Sequence, residues 1–590
     1  WIESMNSVMD DNKMLTLASN ERIPLKPYMR MIFEIRDLKY ATPATVSRAG
    51  IIFISTDEGT QWRSLIASWV QSRPETSYSD ESRVLLQELF EKYVPEAIAY
   101  FKKNVEAIVP VNDITIVSSL LRLLDGLLTP DSIGNSHKLE TAFVFACIWA
   151  FGSALTTSDD GTEYQKEFSD WWRAQYKSVR LPTRDTVFDY WLDPASNKFE
   201  PWKASPSFKT VQFDSRTMQM SDITVPTTET ASILFWSDIL VKKGCPLMLV
   251  GPAGTGKTQL INGLIRGFNP EEHLSTTVNM NFYSTAVATM TALEAPLQKR
   301  TGSTYGPPGS TRMVYFIDDL NLPEVDKYNT QSAIALVRQH MDYQHWYDPN
   351  KFNCKTIMDC QYITSMNPTA GSFFVNPRLQ RHFTSFAVGM PSATSLLTIY
   401  DTFLSGHLSN NGFNGALLTS APTLIKGALA VHKEVSDTFR KTAANFHYEF
   451  SIRHLANVFA GLLVSTPANF DNAEKFCFLW LHESERVYGD RIVDHAGLLK
   501  FRDIMSQQAK KAFPQFNASK FYLAQGADPL VFCHFASGDD MQYDQVNNMD
   551  DIKYTLENAL VEYNEINAVM DLVLFNDAIC HVARITRIVQ

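Results

Sequence analysis

Cysteine, positive charge and long apolar runs are all in short supply, and each shortage removes a class of function. The seven cysteines, at 147, 245, 354, 360, 477, 533 and 580, never fall at metal-finger spacing. Cys354 and Cys360 stand too far apart for a CxxC pair, and Cys533-His534 has no further ligands nearby. Reduced thiols are therefore expected, not a zinc finger or a disulfide framework. Lys and Arg number 53 against 64 Asp and Glu, leaving a net charge of -11. That is the wrong sign for a surface that must neutralise nucleic-acid phosphates, so no nucleic-acid partner is expected. No membrane partner is expected either. The most apolar stretch, 141–155 (TAFVFACIWAFGSAL), is too short to span a bilayer and follows Lys138 and Glu140; it reads as a buried core helix. No signal peptide is expected from the opening residues. The chain starts Trp1-Ile2-Glu3 and closes inside a helical pattern at Val589-Gln590, so both ends are expected to be cuts from something longer.

What is present is material for large cores. Hydrophobic residues make up 45% of the chain and charged residues 20%, which excludes a disordered chain, and the length predicts about three domains. Segments 29–35 (MRMIFEI) and 50–55 (GIIFIS) read as two buried strands joined through a turn at 41–44. From 61 to 190 the pattern is helical, with apolar residues at helical spacing in 81–93 and 115–128. Residues 191–226, richer in Pro, Ser and Asp, show no clear period and read as a domain junction. A helix is expected at 229–242, then strands at 246–250, 277–283, 313–317, 361–365 and 383–388 with helices between, the alternation of a three-layer α/β sheet. Helix resumes from 391 to about 510, a polar stretch occupies 526–551, and one last helix is expected over 551–588. The segments ending at Arg48 (PATVSR) and Arg381 (PRLQR) each precede an apolar run and lie 333 residues apart. That spacing suits tandem domains, not a solenoid.

The chemistry-bearing residues start with Gly251-Pro252-Ala253-Gly254-Thr255-Gly256-Lys257-Thr258. This fits GxxxxGK[ST] between a predicted strand and a predicted helix. Its glycines let backbone N–H groups turn onto phosphate oxygens, Lys257 should reach the β- and γ-phosphates, and Thr258 should ligate Mg2+. ATP or ADP with Mg2+ is the expected cofactor. Next, four apolar residues end in Asp318 and Asp319. Such a strand delivers carboxylates from the sheet's C-terminal edge, Asp318 to the metal and Asp319 to the attacking water as general base; a solvated pair in a turn is the alternative. Asn367, ending the strand at 361–365, fits a group that hydrogen-bonds the attacking water or γ-phosphate, although a plain Asn-Pro turn would look the same. Arg453 in the second helical block fits a cation over the γ-phosphate, against the alternative of a surface residue. Arg48 and Arg381 fit cations pointed across a boundary into a neighbour's site, with a local salt bridge as the alternative and Arg378 as a rival to Arg381.

Together these motifs resemble the dynein heavy chain family. WIESMN at 1–6, followed by DDNK at 10–13, is similar to the second AAA+ module of dynein's six-module ring, and TPATVSR at 42–48 to that module's arginine-finger segment. GPAGTGKT, YFIDDLN at 315–321, SMNPTAGSF at 365–373 and NPRLQRHF at 376–383 resemble the third module, and 564–578 the lead-in to the fourth. YGPPG at 305–309 and RQHMDYQHWY at 338–347 resemble axonemal outer-arm heavy chains of the β type. The resemblance covers nearly the whole chain. It implies tandem AAA+ modules, each an α/β large subdomain with a P-loop followed by an all-helical small subdomain. The implied boundaries are 1–60 for the end of the second large subdomain, 61–200 for its helical subdomain, 201–390 for the third large subdomain, 391–545 for its helical subdomain, and 546–590 for the start of the fourth module. It further implies an ATPase of the motor ring, slow or regulatory at this site, in a motor that moves toward microtubule minus ends and beats cilia. Implied partners are the neighbouring modules, microtubules, and other dynein heavy, intermediate and light chains; implied locations are cytoplasm, cytoskeleton and axoneme. Aligning Asn6 with Asn321 sets Ser4 at the position of Asp319, so the second module is expected to bind nucleotide but hydrolyse little. Asp319 stands where most AAA+ proteins carry Glu, and this feature favours a non-hydrolysing structural spacer as the alternative function.

Overall fold

A parallel strand in the middle of a sheet must be apolar on both faces, and Leu247–Val250 and Arg312–Asp318 meet that demand, whereas the edge strand His273–Asn279 is largely polar and part exposed. The computed structural model describes residues 2–35, 37–55, 59–158, 161–369, 375–470, 472–515, 517, 529–536 and 542–589. They fall into two units, Trp1–Ser64 and Leu65–Gln590.

In the first unit a short 3-10 turn, Ile2–Met5, runs into a helical turn, Asn6–Met9, and Met14–Thr16 pairs antiparallel with Arg22–Pro24. Pro43–Arg48 is a helix capped by the Thr42 side chain, and Thr45 Oγ1 donates to Asn6 Oδ1 at 3.1 Å. The strands expected at 29–35 and 50–55 are not there. Both segments are irregular, with Ile32, Ile52 and Phe53 largely exposed. Apolar content alone does not make a strand: its N–H and C=O groups need a neighbouring strand, and among the described residues none pairs with either segment.

The first long helices of the second unit are α1 (Asp80–Asn104), α2 (Asp113–Leu127) and α3 (Ser136–Gly152). α3 is buried on all sides from Thr141 to Gly152, as its unbroken apolar sequence predicts. The stretch read as a periodless junction contains a hairpin, Tyr190–Asp193 against Lys198–Pro201, closed by Asn197 at φ +53°. The signal was a short turn between two aromatic-bearing runs.

Helix α4 (Thr228–Lys242) then leads to the sheet: β1 (Leu247–Val250), β2 (His273–Asn279), β3 (Arg312–Asp318), β4 (Cys360–Met366) and β5 (Thr384–Ala387). Their order is β5-β1-β4-β3-β2, all parallel. β2 starts four residues earlier than the strand expected at 277–283 and ends four residues before its expected end. The cause is a polar turn, in which the Asn281 N–H donates to Ser284 Oγ and the Tyr283 N–H to Asn281 Oδ1. Helices α5 (Lys257–Arg266) and α6 (Ser332–Tyr343) flank the sheet.

The all-helical block follows as α7 (Ala393–Asn410), α8 (Gly415–Thr438), α9 (Ile452–Leu462), α10 (Ala473–Val487) and α11 (His495–Ala512). The α/β sheet with its helical companion agrees with the predicted fold class. The last helix is two, α12 (Met549–Ile566) and α13 (Asn576–Val589). The side chain of Asn564 bonds both the N–H and the C=O of Met570, holding the chain in a turn where one helix would have continued. The polar stretch 526–551 lies partly outside the described residues.

Three core histidines give the fold an acid limit. His340 sits 2.7 Å from the Tyr362 hydroxyl, His407 lies 2.7 Å from Ser215 Oγ, and His432 lies 3.0 Å from the Tyr488 hydroxyl. Burial pushes each imidazole down to about 4. A depressed pKa means that the unfolded chain takes up protons the fold refuses. Stability is complete above roughly pH 6.5 and falls as pH drops toward about 4, by on the order of a few kcal/mol per histidine. Urea unfolding followed by tryptophan fluorescence should show the midpoint dropping across that window. An unchanged midpoint from pH 7 to pH 4.5 would contradict the assignment.

Candidate functional site

β1 is fully buried, and the chain leaves it into the 251–256 loop under tight steric limits. A Cβ on Gly251 would sit 2.1 Å from the Val388 carbonyl oxygen, so only glycine fits between β1 and the end of β5. Gly256 at φ +89° turns the loop into α5, whose first residue is Lys257. The first-turn N–H groups of α5 and the loop amides thus point to the C-terminal edge of the sheet, the arrangement that cradles phosphate oxygens.

Lys257 is nearly buried, and its Nζ donates to the carbonyls of Gly251 and Pro252, both at 2.8 Å. Burial pushes the pKa of this ammonium down; Asp319 and Asp318 pull it back up, and Arg453 lowers it further. Those four side chains therefore share one electrostatic neighbourhood. Thr258 Oγ1 donates to Asp318 Oδ2 at 2.9 Å, and Asp318 Oδ1 accepts both Ser365 Oγ and, at 3.1 Å, the Asp319 N–H. Asp319 occupies the left-handed region at φ +55°. Burial and the adjacent Asp318 raise its pKa, with Lys257 and Arg453 opposing them.

Asn367 follows the end of β4, where its carbonyl accepts Asn321 Nδ2 at 2.9 Å. Its Oδ1 takes the N–H and hydroxyl of Thr369, at 3.1 and 2.8 Å. Residues 370–373 of the same motif lie outside the described residues. Arg453 belongs to the first turn of α9. A Cβ on Gly254 would meet Ser451 Cβ at 3.0 Å and the Arg453 N at 3.6 Å, so the helical block rests directly on the P-loop.

The structure thus gathers residues 251–258, Asp318, Asp319 and Arg453 in one place, with Asn367 beside Asn321. Arg381 is elsewhere: its guanidinium lies 2.6 Å from Asp342 Oδ1, which also takes His382 at 2.8 Å. Arg48, in the first unit, donates to the Ala44 carbonyl at 2.7 Å and pairs with Asp10 at 3.4 Å. Each has the local salt bridge that was the alternative to a boundary-crossing role. Sequence reasoning missed Ser365 and Ser451. The parallel register pairing Thr364 with Ile317 is what brings Ser365 beside Asp318.

Whether these residues suit Mg2+ with a nucleotide can be tested on their donor set. Among the described residues no group of three or more His, Cys, Asp or Glu could hold a metal alone. One hydroxyl and one carboxylate, Thr258 and Asp318, are instead what a magnesium ion needs when phosphates and water complete its shell. The residues fit. No helix among the described residues is long and apolar enough to cross a membrane.

Comparison with known proteins gives matching regions. A family described as the P-loop containing dynein motor region matches residues 212–391, a dynein heavy chain AAA lid domain matches 86–204, and an AAA+ lid domain matches 424–521. The chain is 46% identical to the dynein alpha chain of the flagellar outer arm of Chlamydomonas reinhardtii. It is 45% identical to the ciliary dynein beta chain of Tripneustes gratilla and 44% identical to human dynein axonemal heavy chain 17. Each match takes in 100% of this chain and 13% of the relative, so the chain spans about an eighth of the length of these relatives.

Proposed function

Because the chain belongs to the axonemal dynein heavy chains and forms part of their motor region, we propose that its P-loop is the third AAA+ site of the ring, binding ATP or ADP with Mg2+. The observation that carries this reading is the Thr258–Asp318 contact at the mouth of the loop, a ready pair of magnesium ligands. The bound nucleotide would supply the γ-phosphoryl group and the charge that these residues organise. Lys257 would leave the Gly251 and Pro252 carbonyls for the β- and γ-phosphate oxygens, Asp318 and Thr258 would hold the ion, and Asp319 would take a proton from water. Asn367 would orient that water and Arg453 would bring a cation from the helical block.

Hydrolysis here is slow, and the nucleotide state regulates how motion passes through the ring, since α9 touches the P-loop and would shift with the loop's contents. The boundaries at 60, 200, 390 and 545 divide the chain into the end of the second module, its helical subdomain, the two parts of the third module and the start of the fourth. Arg48 and Arg381 would serve neighbouring modules after exchanging their present aspartates for phosphoryl oxygens. In the whole motor we assign the chain to minus-end-directed movement on microtubules in the axoneme, with other heavy, intermediate and light chains as partners. A second reading, a non-hydrolysing spacer with nucleotide as a brace, draws on Asp319, one methylene shorter than Glu.

Lys257→Ala tests the binding step. Two charge-assisted hydrogen bonds to phosphate are lost, so affinity for a fluorescent ATP analogue at this site should fall about 10- to 100-fold. The far-ultraviolet spectrum should not change. Unaltered affinity in the folded variant would refute the site.

A further inference from the structure

Ser451 is the N-cap of α9, with an extended backbone at φ -103° and ψ 169°, and His454 stands at the third helical position. Glu or Gln at that position commonly reaches back to the N-cap N–H. Here His454 does so. The Ser451 N–H donates to His454 Nδ1 at 2.9 Å, and the His454 N–H donates to the Ser451 carbonyl at 3.0 Å. A backbone N–H can only donate, so Nδ1 accepts and the neutral ring carries its proton on Nε2.

Two contacts carry this clasp to the P-loop. A Cβ on Gly254 would meet Ser451 Cβ at 3.0 Å and Oγ at 3.1 Å, so the N-cap itself rests on the loop. Arg453, whose side chain is exposed, lies between Ser451 and His454 in the same turn, and the direction it takes is set by that turn. Phe450 and Tyr488 pack beside the imidazole, with ring centroids 5.9 and 6.5 Å away. Its charged and titratable neighbours are Glu449 before α9, Arg453 in α9, Arg491 in the 3-10 turn after α10, and His432 in α8. Burial and Arg491 push its pKa below the ordinary histidine value and Arg453 adds to them, while the Ser451 carbonyl and Glu449 oppose. The ring is therefore neutral, and an acceptor, at pH 7.

We propose that His454 is a positioning residue for the P-loop site: by accepting the Ser451 N–H it fixes the first turn of α9, and with it the direction in which Arg453 is offered to a bound triphosphate. The inference rests on reading residues 251–258 as a nucleotide site with Arg453 over the γ-phosphate. Protonation cuts the link. A proton on Nδ1 sets donor against donor at 2.9 Å, and the ring can then bond only the Ser451 carbonyl, 3.2 Å away, which frees the N-cap N–H.

The test uses the intact motor with fluorescent ADP and a fluorescent non-hydrolysable ATP analogue, counting only the binding that Lys257→Ala removes. His454→Leu keeps bulk but removes the acceptor, and should lower the preference for triphosphate over diphosphate about 5- to 10-fold at pH 7.5. His454→Gln restores an acceptor that does not titrate, and should keep the wild-type preference within about 2-fold. Between pH 7.5 and pH 5 the wild-type preference should fall at least about 2-fold more than that of His454→Gln. Titration of the nucleotide itself cancels in that comparison. In the nucleotide-free protein, amide exchange over 451–455 should speed about 5-fold in His454→Leu and stay unchanged in His454→Gln. If no Lys257-dependent binding exists, the nucleotide reading fails and the positioning role falls with it, whatever the exchange shows. If that binding is present, the proposal alone is overturned by any of three results in folded variants. These are a wild-type preference in His454→Leu, an equal loss in His454→Gln, or matching pH profiles for wild type and His454→Gln.

Discussion

Asp319→Asn is expected to slow single-turnover ATP hydrolysis at this site by about 10²- to 10⁴-fold, the usual worth of a positioned general base, while nucleotide affinity stays nearly constant. The two carboxylates are separated by environment. Asp318 is tied to Thr258, Ser365 and the Asp319 N–H, a set that fixes its oxygens in the place proposed for a magnesium ligand. Asp319 has its pKa raised by burial and by Asp318, which brings it nearer the range where a carboxylate accepts a proton usefully. The substitution is unusually clean. Asp319 sits at φ +55°, a region Asn tolerates at least as well as Asp, so the backbone need not move. Lys257→Ala supplies the contrast, because it should cost binding first. If Asp319→Asn leaves both turnover and motility of the intact motor untouched while Lys257→Ala disrupts motility, the nucleotide is a brace and the site does not hydrolyse it.

The parts of the site that were legible in the sequence are those whose geometry is local. The P-loop needs only a strand, two glycines at positive φ and a helix start, and all lie within a dozen residues. Asp318 and Asp319 were legible because a buried parallel strand puts whatever follows its last apolar residue at the sheet edge. Ser365 and the contact of Ser451 with Gly254 were not, since each depends on which strand or helix arrives from far along the chain. The error at 29–35 and 50–55 has the same origin in reverse. Apolar sequence reports that a segment wants burial, but a strand also needs a partner, and partner identity is not written in the segment itself. Helix α3 escaped that ambiguity because a helix satisfies its own backbone.

Glu483→Ala is expected to cost about 3–5 kcal/mol of stability, the usual result of breaking a buried charge pair from one side. Glu483 in α10 is fully buried. Its Oε2 accepts Arg486 Nε at 2.9 Å, and Arg486 Nη2 lies 2.8 Å away; its Oε1 accepts the Tyr543 hydroxyl at 2.6 Å. Burial disfavours the carboxylate, yet His482, Arg486, the Tyr543 hydroxyl and Arg587 together hold its pKa below the ordinary value. The pocket is shaped for it: a Cβ on Gly461 would lie 2.1 Å from Glu483 Oε2. Removing the carboxylate leaves Arg486 without its buried counter-charge and Tyr543 without its acceptor. Arg587 of α13, 3.9 Å from Oε1, loses a weaker attraction. The distances decide the partition: a double-mutant cycle should assign most of the coupling to Arg486 and a smaller share to Arg587. The smaller share still matters for motion. Arg587 is on the helix that Arg584 fastens to Asp490 at 2.8 Å, so losing Glu483 should speed amide exchange over 576–589 before the rest of the block loosens. Urea unfolding with a loss below about 1 kcal/mol, outside the range for a broken buried pair, would show that the ions are solvated and that α13 is held by its apolar face and by Arg584 on Asp490.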